Sequence, residues 1–236
     1  MFLKKHIFSI VCAGLFITFI VMMINSVSDI SLSVSSDGVK SLPTIVIDAG
    51  HGGEDGGAVN DEGVLEKDIN LQIANETADL FHLLGFDVTT TRTTDTALAT
   101  EGDTVRSRKV ADMKQRLEIF NSSDENIVIS IHQNKFTESK YYGTQIFYSP
   151  NKPESALLAD SIKYSVKGLL QPENERECKQ ADSSIYLLKN ATVPAVIVEC
   201  GFISNYDECQ KLLDSTYQKQ MSFSITSGFL NYYNTN

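Results

Sequence analysis

At 236 residues the chain has room for one large domain with a short appendage and none for a multidomain array. Apolar residues make up 42% and charged residues 21%, too apolar for disorder and ordinary for a chain that buries a core. The formal charge is −10, and Lys4 and Lys5 are the only charged residues up to position 25, so the remainder is more acidic still. That balance argues against nucleic acid as a partner, because phosphate binding needs a basic face.

Ile7 to Ile24 is apolar except for Ser9 and Thr18. The run is long enough to cross a bilayer, and it exceeds the roughly 7 to 15 residues of a typical signal-peptide apolar region. Residues 1–24 therefore read as a membrane anchor, with the amino terminus in the cytoplasm behind Lys4 and Lys5 and everything after it outside. A cleaved signal peptide is the alternative, for which Ser26-Val27-Ser28 is a poor processing site. A Ser-rich tether over 25–42 and one folded domain over 43–236 complete the expected organisation. Cys178, Cys200 and Cys209 are the cysteines of the outer part, so at most one pair can be bridged and disulfides do not carry the fold.

Thr44 to Asp48 is a β-branched run feeding a glycine cluster, the pattern of a buried strand and a loop. A helix follows from Leu65 to Leu84 and stops at Gly85, where a left-handed cap is expected. Phe86 to Thr90 reads as a second strand, and the unit is expected to be parallel and right-handed. After a polar loop over Thr91 to Val105, the next helix places Val110, Met113, Leu117 and Phe120 on one face. Asn126 to Ser130 and Gly143 to Tyr148 read as strands, and Pro153 opens a helix with Leu158, Ile162, Val166 and Leu169. Val193 to Cys200 is a further apolar strand, and a last helix runs from Ser215 to Tyr233. The alternation predicts a single α/β domain, a mostly parallel twisted central sheet with helices on both faces. Its chemistry is expected at the carboxyl ends of the strands.

The loop after the first strand packs five of the chain's fourteen glycines into Gly50 to Gly57. It is no phosphate cradle, since the Lys-Ser/Thr of a phosphate loop is missing and Asp55 stands where a dinucleotide loop needs glycine. What it presents is His51. His132, in Ile131-His132-Gln133-Asn134, is expected just past the end of another strand, on the same rim. Glu66 opens the first long helix, where the helix dipole alone would favour an acid. Because His51's loop feeds that helix, its carboxylate is expected on the rim as well. Two imidazoles and a carboxylate are the ligand set of a catalytic zinc that keeps a position open. Asp68 and Asn70 are candidates for supporting hydrogen bonds. Glu199 sits among apolar and small residues, where a carboxylate is costly without a cation, a metal or donors. It reads either as a general base beside the metal or as the partner of an arginine such as Arg92 or Arg116.

Taken together, these motifs resemble the zinc-dependent N-acetylmuramoyl-L-alanine amidases. The matching stretches are Asp48-x-Gly50-His51-Gly52-Gly53, Glu66-Lys67-Asp68-x-Asn70-Leu71, Thr91-Arg92, Ser130-Ile131-His132-x-Asn134, and Pro194-Ala195-Val196 through Glu199-x-Gly201-Phe202-x-Ser204-Asn205. The resemblance implies Zn²⁺ held by His51, Glu66 and His132, with Glu199 as the catalytic acid/base. Asp48, Asn70 and Asn134 become candidates for support or substrate contact. It also implies cleavage of the amide between the muramic acid lactyl group and the L-alanine that starts the peptidoglycan stem peptide.

A short, anchored chain with one catalytic domain is most similar to the germination-specific type that acts on spore cortex and prepares muramic lactam. Peptidoglycan, the membrane and an activator protein at the membrane are the implied partners. Some relatives carry a helix that plugs the metal site, and the stretch between Pro150 and Val193 is where one could fit. Cys200 departs from the expected threonine, and on a strand it points away from Glu199. Two other readings share the same residues: a zinc carboxypeptidase or endopeptidase cutting within the stem peptide, and a silent wall-binding protein.

Overall fold

The computed structural model describes residues 42–235, so the expected anchor and all but Leu42 of the expected tether lie outside the described residues. No helix among the described residues is long and apolar enough to cross a membrane. Six strands, β1 (Thr44–Ala49), β2 (Val88–Thr90), β3 (Asn126–Asn134), β4 (Gln145–Tyr148), β5 (Lys179–Gln180) and β6 (Ala195–Phe202), form one sheet in the order β2-β1-β3-β6-β4-β5. Every pair is parallel except β4 with β6, so the mostly parallel sheet expected from the sequence is present. The helices are α1 (Glu66–Leu83), α2 (Val105–Phe120), α3 (Glu154–Leu169), α4 (Tyr186–Asn190), α5 (Tyr206–Leu213) and α6 (Ser215–Thr235).

Side chains alternate across the three central strands. Ile45, Ile47, Ile129, Ile131, Val196, Val198 and Cys200 enter one core with Ile73 and Phe81 of α1, Ile162 of α3, and Ile225 and Phe229 of α6. Val46, Val128, Ala195 and Ile197 enter the opposite one with Phe120 of α2 and Leu188 of α4. Burial on both faces is why these strands read as near-continuous apolar runs. Cys200 thus faces the core opposite to the side of Glu199, as alternation required, and Cys178, Cys200 and Cys209 are all free thiols.

α1 ends as its sequence dictates. Gly85 takes φ +84, its N–H reaches the His82 carbonyl, and the Phe86 N–H reaches the Phe81 carbonyl. These are the two bonds that close a helix through a left-handed residue. Phe86 is thereby drawn into an edge-to-face cluster with Phe81 and Phe229, and β2 starts only at Val88 rather than at Phe86.

Two expectations are corrected. β3 does not stop at Ser130 but runs on to Asn134, so His132 lies within the strand, not beyond it. On α2 the buried side chains are Arg116 and Phe120, while Val110 is exposed, because the helix turns a guanidinium and not an apolar row toward the end of β1. Between Pro150 and Val193, α3 packs on α6 and the sheet, and α4 on α2 and β6. No side chain of that stretch is hydrogen-bonded to His51, Glu66 or His132.

Candidate metal centre

β1, β3 and β6 are adjacent, and their carboxyl ends bring the candidate residues together. His51 follows β1, His132 stands on β3, and Glu199 on β6 is paired in register with His132. His51 is the one non-glycine among the described residues with a left-handed φ, +62. Strain of that kind concentrates at functional sites and is held there by the surrounding contacts. Two glycines let the backbone come close enough. A Cβ on Gly50 would lie 2.2 Å from Nε2 of His132, and one on Gly57 would lie 2.6 Å from Oε2 of Glu66.

Glu66 occupies the first position of α1, yet its carboxylate turns inward instead of merely capping the helix. Its Oε2 accepts the Ala58 N–H at 2.7 Å and lies 3.3 Å from Nε2 of His51. Its Oε1 accepts the Gln133 N–H at 3.1 Å and an Asn70 amide N–H at 3.3 Å, and lies 2.9 Å from Nδ1 of His132. Burial opposes ionisation, but the two imidazoles outweigh it and hold the carboxyl well below the usual range. The donor atoms of His51, Glu66 and His132 all lie within 4.8 Å of one another. They come from three different elements, and both imidazoles remain partly accessible, with 25% and 17% of the side chain exposed. Such a donor set fits a divalent metal of the zinc type with room for a further ligand.

The other nitrogen of His51, Nδ1, meets Oδ2 of Asp55 at 2.7 Å. Asp55 in turn pairs with Lys109 at 2.7 Å and accepts the Gly57 N–H. Burial pulls the His51 pKa down, but Asp55 and Glu66 more than reverse this and raise it to about 9. Asp55 was missed in the sequence; the available signal was an acid four residues after the histidine, next to Glu54 inside a loop of glycines. A carboxylate behind a ligating imidazole fixes which nitrogen faces the metal.

Asn70 does support Glu66, and its Oδ1 receives Nε2–H of Gln133, a second residue the sequence did not single out. Asp68 does not belong to the site: it is exposed on α1, two residues from Glu66 and so off its inward face. Asn134 contributes its carbonyl, which accepts the Ile203 N–H, and its side chain makes no hydrogen bond to the three candidate ligands. Asp48 is fully buried and does not touch them either. It accepts hydrogen bonds from Arg116, Ser130 and Thr91. Arg116 also donates to the carbonyls of Ala49 and His51, and Arg92 donates to those of Ala49, Gly50 and Lys67. Both arginines thus pin the loop that carries His51.

Neither arginine reaches Glu199, which removes the structural ion-pair reading. Oε2 of Glu199 is enclosed and has no hydrogen-bond partner. Burial pushes its pKa up to about 7, Glu66 adds to this, and His132 and His51 only partly offset it. A carboxyl kept near neutrality beside a cluster of metal-binding groups is poised to exchange protons.

An α/β sheet whose rim brings together two imidazoles and a carboxylate, with a glutamate beside them whose Oε2 is unpaired, fits a hydrolase that uses a single metal. The chain belongs to the N-acetylmuramoyl-L-alanine amidase family, whose profile matches residues 45–231. It is 38% identical over 190 residues to the germination-specific N-acetylmuramoyl-L-alanine amidase of Bacillus subtilis strain 168, covering 80% of this chain and 79% of that protein. Among solved structures it is similar to the CwlD amidase of Clostridioides difficile in complex with the GerS lipoprotein. That match has a TM-score of 0.79 and 41% identity, over 82% of this chain and 100% of that one. A second, with a TM-score of 0.72 and 27% identity over 83% and 99%, is the N-acetylmuramoyl-L-alanine amidase of Clostridium difficile 630.

Proposed function

We propose that this chain hydrolyses the amide between the lactyl group of muramic acid and the L-alanine of the peptidoglycan stem peptide. The observation that carries the reading is the unpaired, buried Oε2 of Glu199 beside His51, Glu66 and His132. Those three residues would hold zinc, and when bound the ion supplies Lewis acidity toward water and toward the amide carbonyl. Glu199 takes a proton from the attacking water as the new C–O bond forms, and returns it to the nitrogen as the C–N bond breaks. The products are a lactyl carboxylate and a peptide with a free L-alanine amine, so no covalent intermediate is required. Asp55 holds the ring of His51, while Asn70 and the Gln133 N–H hold Glu66.

Product analysis tests the bond: release of peptides that begin with L-alanine supports the amidase, whereas cuts between stem-peptide residues would indicate a peptidase. Metal analysis tests the ligands. About one zinc per chain is expected, and His51→Ala or His132→Ala is expected to lose it, because two remaining ligands hold zinc poorly. Full zinc in either variant would refute the assignment.

Likeness to the germination-specific amidase of Bacillus subtilis supports spore cortex as the substrate and muramic lactam formation as the purpose. Muropeptide profiling of a deletion strain is expected to show cortex depleted of muramic lactam. The protein acts outside the cytoplasm, held at the membrane by residues 1–24 through the tether 25–42. The lipoprotein bound to the Clostridioides difficile relative supports a membrane partner here too. A partner that binds only the metal-loaded native form raises its population, so added partner is expected to increase both zinc content and turnover. An isolated chain that is fully loaded and as fast as the membrane-associated enzyme would exclude that dependence.

A further inference from the structure

Behind the metal-binding trio lies a pair of buried amides, Asn70 and Gln133. Asn70 stands one turn after Glu66 on α1 and is wholly enclosed, and Gln133 follows His132 on β3 and is 3% exposed. Nδ2 of Asn70 donates to the Gly50 carbonyl at 3.1 Å and to Oε1 of Glu66 at 3.3 Å. Its Oδ1 accepts Nε2–H of Gln133 at 3.2 Å. The pair therefore joins all three segments that carry the candidate ligands: the loop of His51 through Gly50, the first turn of α1 through Glu66, and β3 through the residue next to His132.

The orientation of both amides follows from this chain of contacts. A carbonyl and an ionised carboxylate can only accept, so Asn70 must turn its NH2 to Gly50 and Glu66 and its oxygen to Gln133. Gln133 must then offer its own NH2, which sends Oε1 the other way. There Oε1 is enclosed and has no hydrogen-bond partner. Cys200 stands beside the same amide, and a thiol is a weak donor. A buried acceptor without a donor lowers stability, and an apolar side chain of the same length would avoid that loss. What the apolar side chain could not supply is the N–H that keeps Asn70 from turning over. With Asn70 reversed, its oxygen would face the Glu66 carboxylate and the Gly50 carbonyl, so two attractions would become repulsions.

Resting on the reading of His51, Glu66 and His132 as zinc ligands, we infer that Gln133 is a positioning residue of the metal centre that acts through Asn70. Its side chain holds the Asn70 amide toward Glu66 and Gly50, and the affinity for zinc depends on that hold. The unpaired Oε1 is the stability given up for it.

Gln133→Met tests this, because methionine keeps the length of the side chain and the main-chain N–H that Glu66 accepts, and removes only the amide. The change takes away the unpaired Oε1 and leaves Oδ1 of Asn70 unpaired in its place. The melting temperature of the metal-free protein is therefore expected to stay within about 4 °C of the parent's. Zinc affinity, measured by competition with a chelator, is expected to fall about tenfold or more, the scale of a lost contact behind a metal ligand. Asn70→Ala is expected to lose at least as much, and adding Gln133→Met to it is expected to weaken zinc no further, since the amide then has nothing to hold. Parental zinc affinity in Gln133→Met, or the same additional loss with and without Asn70, would overturn the inference. A Gln133→Met chain that unfolds would overturn it too, by making the amide a structural group. None of these readouts requires turnover. A parent that binds zinc but releases no peptide leaves Gln133 in this role while the amidase reading fails, and a parent that binds no zinc removes both. An active parent whose zinc affinity Gln133→Met leaves unchanged keeps the amidase and sinks the positioning role.

Discussion

Glu199→Gln is expected to keep the parent's melting temperature and zinc content while cleavage of muramoyl-peptide falls at least about a hundredfold, within the roughly 10² to 10⁴ that a general acid/base contributes. The expectation separates two roles for a buried acid. A glutamate that neutralises a buried arginine would, when made neutral, strand that cation at a cost on the order of 3 to 5 kcal/mol. Here the two candidate arginines are committed elsewhere, Arg116 to Asp48 and Asp112, and Arg92 to backbone carbonyls. Oε2 of Glu199 has no partner to lose. An amide of the same shape relieves the cost of burying a carboxylate and leaves His51, Glu66 and His132 in place. Thermal denaturation, elemental analysis and the rate of peptide release decide the matter together. A variant that cleaves normally, or one whose only defect is unfolding, would show that Glu199 does not move the proton.

What the sequence made legible, and what it hid, follows from how each residue is buried. The central strands were legible because both faces are covered, leaving runs such as Ile45-Val46-Ile47 and Ala195-Val196-Ile197-Val198 without polar interruption. Glu199 stood out for the same reason, as a charge inside such a run. The end of β3 was hidden because His132-Gln133-Asn134 has the polarity of a loop, yet the stretch stays in the sheet by pairing with β6 through a register shift. β5 was hidden because Lys179 and Gln180 are both exposed and only two residues long. α4 and α5, at five and eight residues, are too short for a helical period to show. The convergence of His51, Glu66 and His132 could be inferred because the carboxyl ends of neighbouring strands lie side by side. The residues that hold them could not, since Gln133 and Arg116 act through hydrogen bonds to partners 67 and 68 positions away in the chain, and Asp55 lies in an irregular loop whose path no periodicity reveals.

Arg116→Met is expected to cost about 3 to 5 kcal/mol, the loss found when one member of a buried ion pair is removed. For a domain of this size that lowers the melting temperature by about 10 °C. Arg116 is almost wholly enclosed and Asp48 entirely so. Without the guanidinium, the carboxylate keeps the hydroxyls of Ser130 and Thr91 but no countercharge in contact. The His51 carbonyl also loses its donor, and that of Ala49 keeps only Arg92, so zinc is expected to be stripped from the variant by a chelator at lower concentration than from the parent. The sign with pH follows from Asp48. Burial alone would raise its pKa, but Arg116 first, then His132, Ser130 and Thr91, outweigh that and hold it below the usual carboxylate value. The stability it contributes is therefore present above about pH 3.9, the unfolded value, and is lost as pH falls through the lower folded one. In Arg116→Met burial prevails, so Asp48 takes up a proton more readily. The gap in stability between parent and variant is then largest at neutral pH and narrows toward pH 4. Denaturation of both proteins across that range, with Asp48→Ala/Arg116→Met as the third corner of the comparison, measures it. The double variant is expected to lose less than the sum of the single changes, because no charge is left without its partner. Additive losses that do not vary with pH would mean that the two side chains only fill space.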